Sequence, residues 1–303
     1  MNKIVIIGCG NVGMSYAYAL LNQQTNVHEI ILIDKDKKKC EGEAMDLNHC
    51  LAFSPSKLSI RAGDYQDCMD AMIVCIAAGA NQKKNETRMD LIHKNTFIFH
   101  EIVNNVVKSG FDGIFLIATN PLDVMTYVTW KESKFPHHKV IGSGTSLDTA
   151  RLRYMIGEKL KVNPKNIHAY VIGEHGDTEF VPFENATVGL QNIKEFLTKE
   201  ELDEIYVQVR DAAYQIIEKK GATCYGIGTC LVRITNAILK DENSILTVCV
   251  YDEKNDVFIG LPAIINKDGI REKVFVELTK EEQEKLQYSI DTLKKSIQSI
   301  TSE

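Results

Sequence analysis

The sequence predicts an α/β fold, with a doubly wound parallel sheet in the first half and an α+β domain in the second. In the first half, short β-branched apolar runs alternate with helical patterns, which is typical of a parallel sheet covered by helices. After residue 142 the helices and strands follow one another in a different order. We therefore divide the 303-residue chain into domains 1–142 and 143–303, tightly packed because no linker separates them.

The first-half elements follow from apolar runs and the polar turns between them. Strands are predicted at residues 3–7, 29–33, 72–77, 113–118 and 139–141. Helices are predicted between them at 12–22, 38–49, 88–108 and 121–130. Pro121 opens the last of these helices, where a missing N–H costs nothing.

The second half predicts helices at 146–160, 199–219 and 226–240, and strands at 168–172, 245–251 and 257–261. Thr198 with Glu201 and Thr279 with Glu282 have the spacing of capping boxes at helix starts. The terminal helix carries one apolar stripe, formed by Leu286, Ile290, Leu293 and Ile297. These features predict a helix-rich domain that completes a site beside the parallel sheet.

Composition and charge exclude several classes of protein. A net charge of −6 gives no basic surface for nucleic acid, and no apolar run is long enough to span a membrane. The eight cysteines are scattered without a Cys-x-x-Cys pair, which is typical of free thiols in a reducing compartment. We expect a cytoplasmic protein that contacts neither nucleic acid nor membrane.

A glycine-rich motif follows the first predicted strand and opens the first predicted helix. In the run 8–13, Gly8, Gly10 and Gly13 permit a tight turn, close approach of backbone to a pyrophosphate, and close packing of helix on strand. The free N–H groups of the helix N-terminus suit phosphate charge. The motif in this context predicts a bound dinucleotide.

Asp34 ends the second predicted strand, about 20 residues beyond the glycines. A carboxylate here accepts hydrogen bonds from the adenosine ribose and repels a 2′-phosphate, so NAD is favoured over NADP. Without the glycines, Asp34 would be interpreted as a solvated loop carboxylate beside Lys35. Further cofactor contacts are expected at the strand ends Gly79-Ala80 and Thr119-Asn120.

Two downstream polar segments, 148–151 and 173–177, carry the remaining chemistry. Arg151 can hold a carboxylate with its planar fork, His175 can move a proton near neutrality, and Asp148 can orient that imidazole. The plainer interpretations are a structural histidine and a surface ion pair between Asp148 and Arg151, three apart on a helix. Together with a nicotinamide, the three groups suit hydride transfer to a small 2-oxo acid.

Several longer segments carry a family resemblance. The chain resembles the L-lactate and malate dehydrogenase family, and within it the bacterial L-lactate dehydrogenases, over essentially its whole length. The matching segments are residues 8–13, 78–82, 119–123, 141–145, 147–151, 168–177, 221–223 and 241–244.

The resemblance implies roles for named residues. His175 would be the acid/base, Asp148 its orienting partner, Arg151 the anchor of the substrate carboxylate, and Arg88 a loop arginine that closes over the reacting carbonyl. Asn120 would contact substrate and nicotinamide. The implied NAD contacts are Val12, Asp34, Lys39, Tyr65, Gly79, Ala80, Thr119 and Ser143, beside the glycines already named.

Gln82 decides the substrate in this interpretation. The malate branch has arginine at the matching position, to pair a second carboxylate, whereas a neutral glutamine suits a methyl group. Thr223 resembles the small residue that confines the substrate side chain. The resemblance therefore implies reversible NADH-dependent reduction of pyruvate to L-lactate in fermentative glycolysis, the alternative being a malate or broader 2-hydroxy-acid dehydrogenase. Lys84-Asn85 stand where Pro-Gly is frequent in the family, which affects the stiffness of the loop.

Arg153 and His168 match positions that bind fructose 1,6-bisphosphate between subunits of a homotetramer in many bacterial members. The resemblance thus implies an allosteric homotetramer as an expectation. Two other functions remain open. A non-catalytic NAD-binding descendant would not need His175, Asp148, Arg88 and Arg151 together, and an NAD- and metal-dependent glycosidase would need a Cys/His metal pair that the sequence does not offer. No metal is expected.

Overall fold

The structure of the chain, a computed structural model, describes residues 1–80 and 87–301, without the side chains of Arg88 and Thr301. The strands are β1 Lys3–Ile7, β2 Glu29–Ile33, β3 Ser59–Ala62, β4 Ile73–Ile76, β5 Ile114–Ile117, β6 Val140–Gly142, β7 Ile167–His168, β8 Thr187–Val188, β9 Gln191–Asn192, β10 Ser244–Asp252, β11 Val257–Asn266 and β12 Gly269–Lys273. The helices are α1 Asn11–Asn22, α2 Lys37–Cys50, α3 Arg88–Lys108, α4 Leu122–Ser133, α5 Ser146–Leu160, α6 Lys199–Lys220, α7 Tyr225–Leu239 and α8 Lys280–Thr301.

One nine-stranded sheet, in the order β12-β11-β10-β6-β5-β4-β1-β2-β3, runs through the molecule. Its six N-terminal strands are parallel and follow the doubly wound order 3-2-1-4-5-6. The second half adds β10, β11 and β12 antiparallel, and β10 pairs with β6 through Cys249 and Gly142. The predicted fold class is confirmed, and the two halves share one sheet, with hydrogen bonding across the proposed boundary at residue 142.

Apolar side chains alternate between the two faces of this sheet. In β1, Ile4 and Ile6 join the core beneath α1, α2 and α7, whereas Val5 and Ile7 join the core beneath α3, α4 and α8. Burial on both faces explains why the parallel strands are continuously apolar. A third apolar cluster lies between α5, α6 and the segment that follows β7. Three stripe residues of α8, namely Ile290, Leu293 and Ile297, are buried as predicted.

The sequence predictions missed the strands β3, β8, β9 and β12, ended β11 at residue 261 rather than 266, and extended β7 too far. The edge strands β3 and β12 alternate exposed polar residues with few apolar ones, so they lack a clear apolar run. The predicted strand at 168–172 is wrong, because regular pairing there is limited to Ile167–His168 and one bridge joins Ile172 to Phe180. Pro121 also lies just before its helix rather than in the first turn.

The two helix starts predicted from capping-box spacing are stabilised by the predicted side chains. Thr198 and Glu201 form the reciprocal hydrogen bonds of a capping box, and Thr279 and Glu282 do the same at the start of α8. Within the described ranges, none of the helices combines the length and the apolar character that crossing a membrane requires.

Candidate active site

The carboxyl ends of the parallel strands lie side by side and form one edge. Backbone hydrogen bonds join the residues just beyond the strands: Gly8 N to Ile33 O at 2.8 Å, Ala77 N to Ile7 O at 2.8 Å, Ala118 N to Ile76 O at 2.9 Å and Ser143 N to Ile117 O at 2.9 Å. Ligands of doubly wound sheets bind beyond this edge. The predicted cofactor residues that follow β1, β2, β4, β5 and β6 are thereby brought together.

The three glycines of the first loop meet different spatial demands. Gly8 has φ +107°, and a Cβ there would lie 2.5 Å from the amide nitrogen of Ala78. A Cβ on Gly13 would lie 2.0 Å from the carbonyl oxygen of Gly8. Gly10, the N-cap of α1, has open space around it and no side-chain cap. The loop is therefore compact against the sheet and open at the helix N-terminus, where a phosphate would bind.

Asp34 is held at the end of β2 by two backbone donors. Its Oδ2 accepts the amide of Cys9 at 2.8 Å and its Oδ1 accepts the amide of Asp36 at 3.2 Å. The carboxylate thus lies against the glycine loop rather than free in solvent. This position fits the ribose of a dinucleotide whose phosphates lie at Gly10.

Asn95, which sequence analysis missed, ties two of the cofactor loops together. This fully buried α3 residue accepts the amide of Ala80 at 2.8 Å and donates to the carbonyl oxygen of Asn120 at 2.7 Å. Thr119 adds a hydrogen bond to the carbonyl oxygen of Ala78 at 2.8 Å. The loops after β4 and β5 are therefore fixed relative to each other by buried side chains.

The other expected cofactor residues differ in exposure. Val12 packs partly buried against the core, Ser143 is buried, and Lys39 is exposed on the first turn of α2. Tyr65 is half-buried, and burial, then the charge of Glu101, raises the pKa of its hydroxyl to about 12. All four lie at or near the edge described above.

The polar centre of the second half is assembled around Asp148. This carboxylate, on α5 and 2% exposed, accepts Arg151 Nη1 on Oδ1 at 2.7 Å and contacts His175 Nδ1 through Oδ2 at 2.7 Å. One carboxylate thus fixes both the guanidinium and the imidazole. Because Nδ1 is engaged, Nε2 is the His175 nitrogen left to reach a substrate.

Asp148 controls the protonation of His175. Burial by itself lowers the pKa of the imidazole, but the charge and hydrogen bond of Asp148 outweigh it and raise that pKa to about 9. Burial opposes ionisation of Asp148 in turn, yet His175 and Arg151 hold its pKa below the usual value. The pair is therefore an imidazolium beside a carboxylate at neutral pH, a group able to donate a proton.

Backbone and buried side chains hold the segment that carries His175. Gly173 pairs with Gly260 of β11 through two backbone hydrogen bonds of 2.9 and 3.0 Å. The amide of His175 donates to Asp123 Oδ2 at 2.8 Å, and the thiol of Cys249 donates to Asp123 Oδ1 at 2.9 Å. Burial, against these hydrogen bonds, raises the pKa of Asp123 to about 6. Asp123 and Cys249 were missed because only long-range packing brings them here.

Two domain families match the chain over nearly its full length. The lactate/malate dehydrogenase NAD-binding domain matches residues 2–142, and the lactate/malate dehydrogenase alpha/beta C-terminal domain matches residues 145–303. The chain belongs to the lactate/malate dehydrogenase family. The resemblance stated from the sequence is confirmed, and with it an NAD-dependent oxidoreductase.

Curated relatives and solved structures agree with this family. L-lactate dehydrogenase 2 of Bacillus cereus is 52% identical over 307 residues, which covers 98% of each chain, and L-lactate dehydrogenase 2 of Bacillus anthracis matches equally. The crystal structure of a lactate dehydrogenase from a deep-sea metagenome library of the Medee basin is 51% identical, covers 99% of each chain and has a TM-score of 0.97. The ligand-bound minor L-lactate dehydrogenase of Enterococcus mundtii is 41% identical with a TM-score of 0.96, covering 99% of this chain and 98% of its own.

The structure describes only some of the other residues expected from this family. Gln82, Lys84 and Asn85 lie outside the described residues, and so does the side chain of Arg88, whose backbone begins α3. Asn120 is exposed beyond β5, and Thr223 is half-buried between α6 and α7. Within the described part of the chain, hydrogen bonds join Asp148, Arg151 and His175 to one another but do not join Asn120 or Thr223 to them.

Arg153 and His168 lie on neighbouring elements. Arg153 Nε donates to the carbonyl oxygen of Ala169 at 3.1 Å, and its guanidinium lies 4.9 Å from the ring centroid of Tyr170. His168 is exposed at the end of β7, next to Ala169 in the chain. The hydrogen bond to Ala169 therefore brings Arg153 next to the residue that follows His168 in the chain.

Proposed function

We propose that this protein interconverts pyruvate and L-lactate with NAD. The observation that carries the proposal is the buried Asp148, which holds Arg151 and His175 in one cluster beyond the same sheet that presents the glycine loop. Arg151 supplies a site for a substrate carboxylate, and His175 supplies a proton for a substrate oxygen. L-lactate dehydrogenases are also the relatives that match over 98% of the chain.

The residues of the strand-end edge fit the dinucleotide. Gly10 leaves open space at the N-terminus of α1, where the phosphates would bind, and the fixed carboxylate of Asp34 would accept hydrogen bonds from the ribose. The nicotinamide supplies the hydride when the dinucleotide is bound. The contacts proposed for Lys39, Tyr65, Thr119 and Ser143 extend along the same edge.

The protein side chains perform the other half of the reaction. Arg151 binds the substrate carboxylate through two parallel charge-assisted hydrogen bonds, and this fixes the carbonyl group near His175. The imidazolium donates the proton on Nε2 to the carbonyl oxygen as negative charge develops there. In lactate oxidation, neutral His175 accepts that proton, so the two directions require opposite protonation states.

Arg88, Asn120, Gln82 and Thr223 complete the proposed substrate site. Arg88 would close over the carbonyl oxygen and add positive charge at the developing alkoxide, and Asn120 would contact substrate and nicotinamide. Gln82 and Thr223 would surround the methyl group of pyruvate. A neutral Gln82 leaves the second carboxylate of oxaloacetate without a partner, which disfavours malate chemistry.

Loss of NADH absorbance with pyruvate and with oxaloacetate tests the function. We expect strong preference for pyruvate, and we expect Gln82→Arg to reverse the preference while Thr223 is unchanged. Comparable turnover of both acids by the wild-type protein would favour a malate or broader 2-hydroxy-acid dehydrogenase instead. No turnover of either would favour a non-catalytic NAD-binding protein. The proposed setting is fermentative glycolysis in the cytoplasm, where pyruvate reduction regenerates NAD.

Regulation is proposed at Arg153 and His168. Both are cationic or can become so, and a two-fold axis of a homotetramer would repeat them, so that a bisphosphate could neutralise the repulsion and stabilise the assembled form. We expect fructose 1,6-bisphosphate to lower the KM for pyruvate or to increase the mass by light scattering. His168→Ala should abolish that response. Absence of both responses in the wild-type protein would reject the regulatory proposal but not the activity.

A further inference from the structure

A second buried carboxyl group lies against the Asp148–His175 pair. Glu179 is 3% exposed, and its carboxyl oxygen, a carboxylate oxygen of Asp148 and a ring nitrogen of His175 all lie within 4.8 Å of one another. Two carboxyl groups in such contact cannot both ionise without strong repulsion.

Several titratable or charged groups act on Glu179 or on its immediate neighbours Asp148 and His175. These groups are Asp148 and Arg151 of α5, His175 of the preceding turn, Asp123 of α4, Tyr206 of α6 and Cys230 of α7. The hydroxyl of Tyr206 donates to the backbone carbonyl of Glu179 at 2.7 Å, which fixes the backbone but leaves the carboxyl group free to face Asp148. The two cations of the set, Arg151 and protonated His175, already bind Asp148.

This arrangement favours a neutral Glu179. Burial raises the pKa of its carboxyl group well above the usual value, and the charge of Asp148 raises it further, against the opposing charges of His175 and Arg151. A neutral carboxylic acid has one O–H to donate, and the neighbouring acceptor is Asp148. Neutral buried carboxyl groups act as hydrogen-bond donors in other enzymes for the same physical reason.

We propose that Glu179 is a positioning residue whose neutral carboxyl group donates a third hydrogen bond to Asp148, beside those from Arg151 and His175. The inference rests on the proposed function and specifies how the site selects its substrate. With Glu179 neutral, the hydrogen-bonded trio of Asp148, Arg151 and His175 carries one negative and two positive charges, a net +1, while Asp123 lies outside that trio and binds the His175 amide and the Cys249 thiol. That charge matches a monocarboxylate such as pyruvate, whereas an ionised Glu179 would leave none to balance the substrate.

Infrared difference spectroscopy of the NAD-bound protein tests the protonation state of the Glu179 carboxyl group. We expect the wild-type protein to show the C=O stretch of a protonated carboxylic acid at pH 8, and Glu179→Gln to lack it. Asp123 does not confuse the assignment, because its pKa of about 6 leaves it ionised at pH 8. A band that is absent from the wild-type protein, or that persists in Glu179→Gln, would overturn the inference while pyruvate reduction by the wild-type protein would still support the function.

A pair of variants tests the positioning role. Glu179→Leu removes the donor, and we expect a roughly tenfold rise in the KM for pyruvate, the order of one hydrogen bond to a charged group, with NADH affinity unchanged. The Gln variant keeps an N–H donor and cannot ionise, so it should recover most of that loss and keep the wild-type pH profile. An unchanged KM in the Leu variant would overturn the role. The role would also be overturned if, in the Gln variant, pyruvate reduction lost activity at a lower pH than in the wild-type protein. That shift would mean that an ionised Glu179 had supported the positive charge on His175.

Discussion

The cofactor edge, where the loops after the parallel strands meet, is formed largely by backbone groups. The Asp148 centre, with Arg151, His175, Asp123 and Glu179 around Asp148, is formed largely by side chains. The cofactor edge is formed by the loops that follow β1, β2, β4, β5 and β6, and backbone amides and glycines supply most of its contacts. At the Asp148 centre, side chains from α4, α5, β10 and the turn at 173–179 converge on buried carboxyl groups. Within the first region the glycine loop depends on the absence of side chains, whereas the second region depends on their functional groups. Substitutions in the glycine loop should therefore be harmful because they add atoms, and substitutions at the Asp148 centre because they remove functional groups.

His175→Gln should have the largest effect. The amide keeps the approximate size of the ring but cannot give up a proton, so kcat should fall about 1,000-fold, within the range of general acid catalysis. NADH affinity, measured by fluorescence titration, should remain unchanged because the cofactor edge is built separately. A variant with wild-type turnover, or one that no longer binds NADH, would contradict the separation of the two regions.

Arg151→Lys should act on substrate binding. Lysine keeps the positive charge but not the planar fork, so the loss of a charge-assisted hydrogen bond should raise the KM for pyruvate about 10- to 100-fold. Arg233→Lys is a matched control, because Arg233 is a surface residue that binds Glu242 and Ser244 away from this centre. Equal kinetic effects of the two substitutions would mean that Arg151 has no specific role.

Two Gly→Ala substitutions test the cofactor edge. A Cβ at Gly13 of α1 meets the carbonyl oxygen of Gly8 at 2.0 Å, so Gly13→Ala should weaken NADH binding and destabilise the fold by about 1–3 kcal/mol. Gly42 of α2 has open space, so Gly42→Ala should stabilise by about 0.5–1 kcal/mol. For each variant, urea denaturation measures the change in stability and NADH titration measures the affinity for the cofactor. The same sign of stability change in the two variants would refute the steric argument.

The sequence predicts the cofactor edge better than the Asp148 centre for a physical reason. The strands at 3–7 and 29–33, the helix at 88–108 and the glycine loop follow from local apolar periodicity and turn residues, and the structure has them. Asp123 resembles an ordinary acidic residue in the first turn of a helix, Glu179 lies just beyond the polar segment 173–177, and Cys249 lies within an apolar strand. Their importance arises from burial and from partners that lie 27 to 126 residues away along the chain, as with Asp148–His175 and Asp123–Cys249.

Edge strands show the same limit within the fold. The strand β3 contains Ser59 and Arg61, and β12 contains Arg271, Glu272 and Lys273, so local pattern does not distinguish them from loops. Their strand conformation follows from pairing with β2, which the sequence predicts, and with the second half of β11, which lies beyond the predicted strand at 257–261. Asn95 is a comparable case, because its value lies in joining two loops that only the sheet brings together.

The NMR titration of His175 tests the central claim most directly, namely that Asp148 makes this imidazole a proton donor at neutral pH. The His175 signal, assigned among the eight histidines with the Gln variant, should titrate near 9 in the wild-type protein. In Asp148→Asn the charge is lost while burial remains, so the pKa should fall below the usual value for histidine. Pyruvate reduction should lose activity as pH rises through about 9, whereas lactate oxidation should gain it. A wild-type pKa at the ordinary value, or one that Asp148→Asn leaves unchanged, would contradict the account.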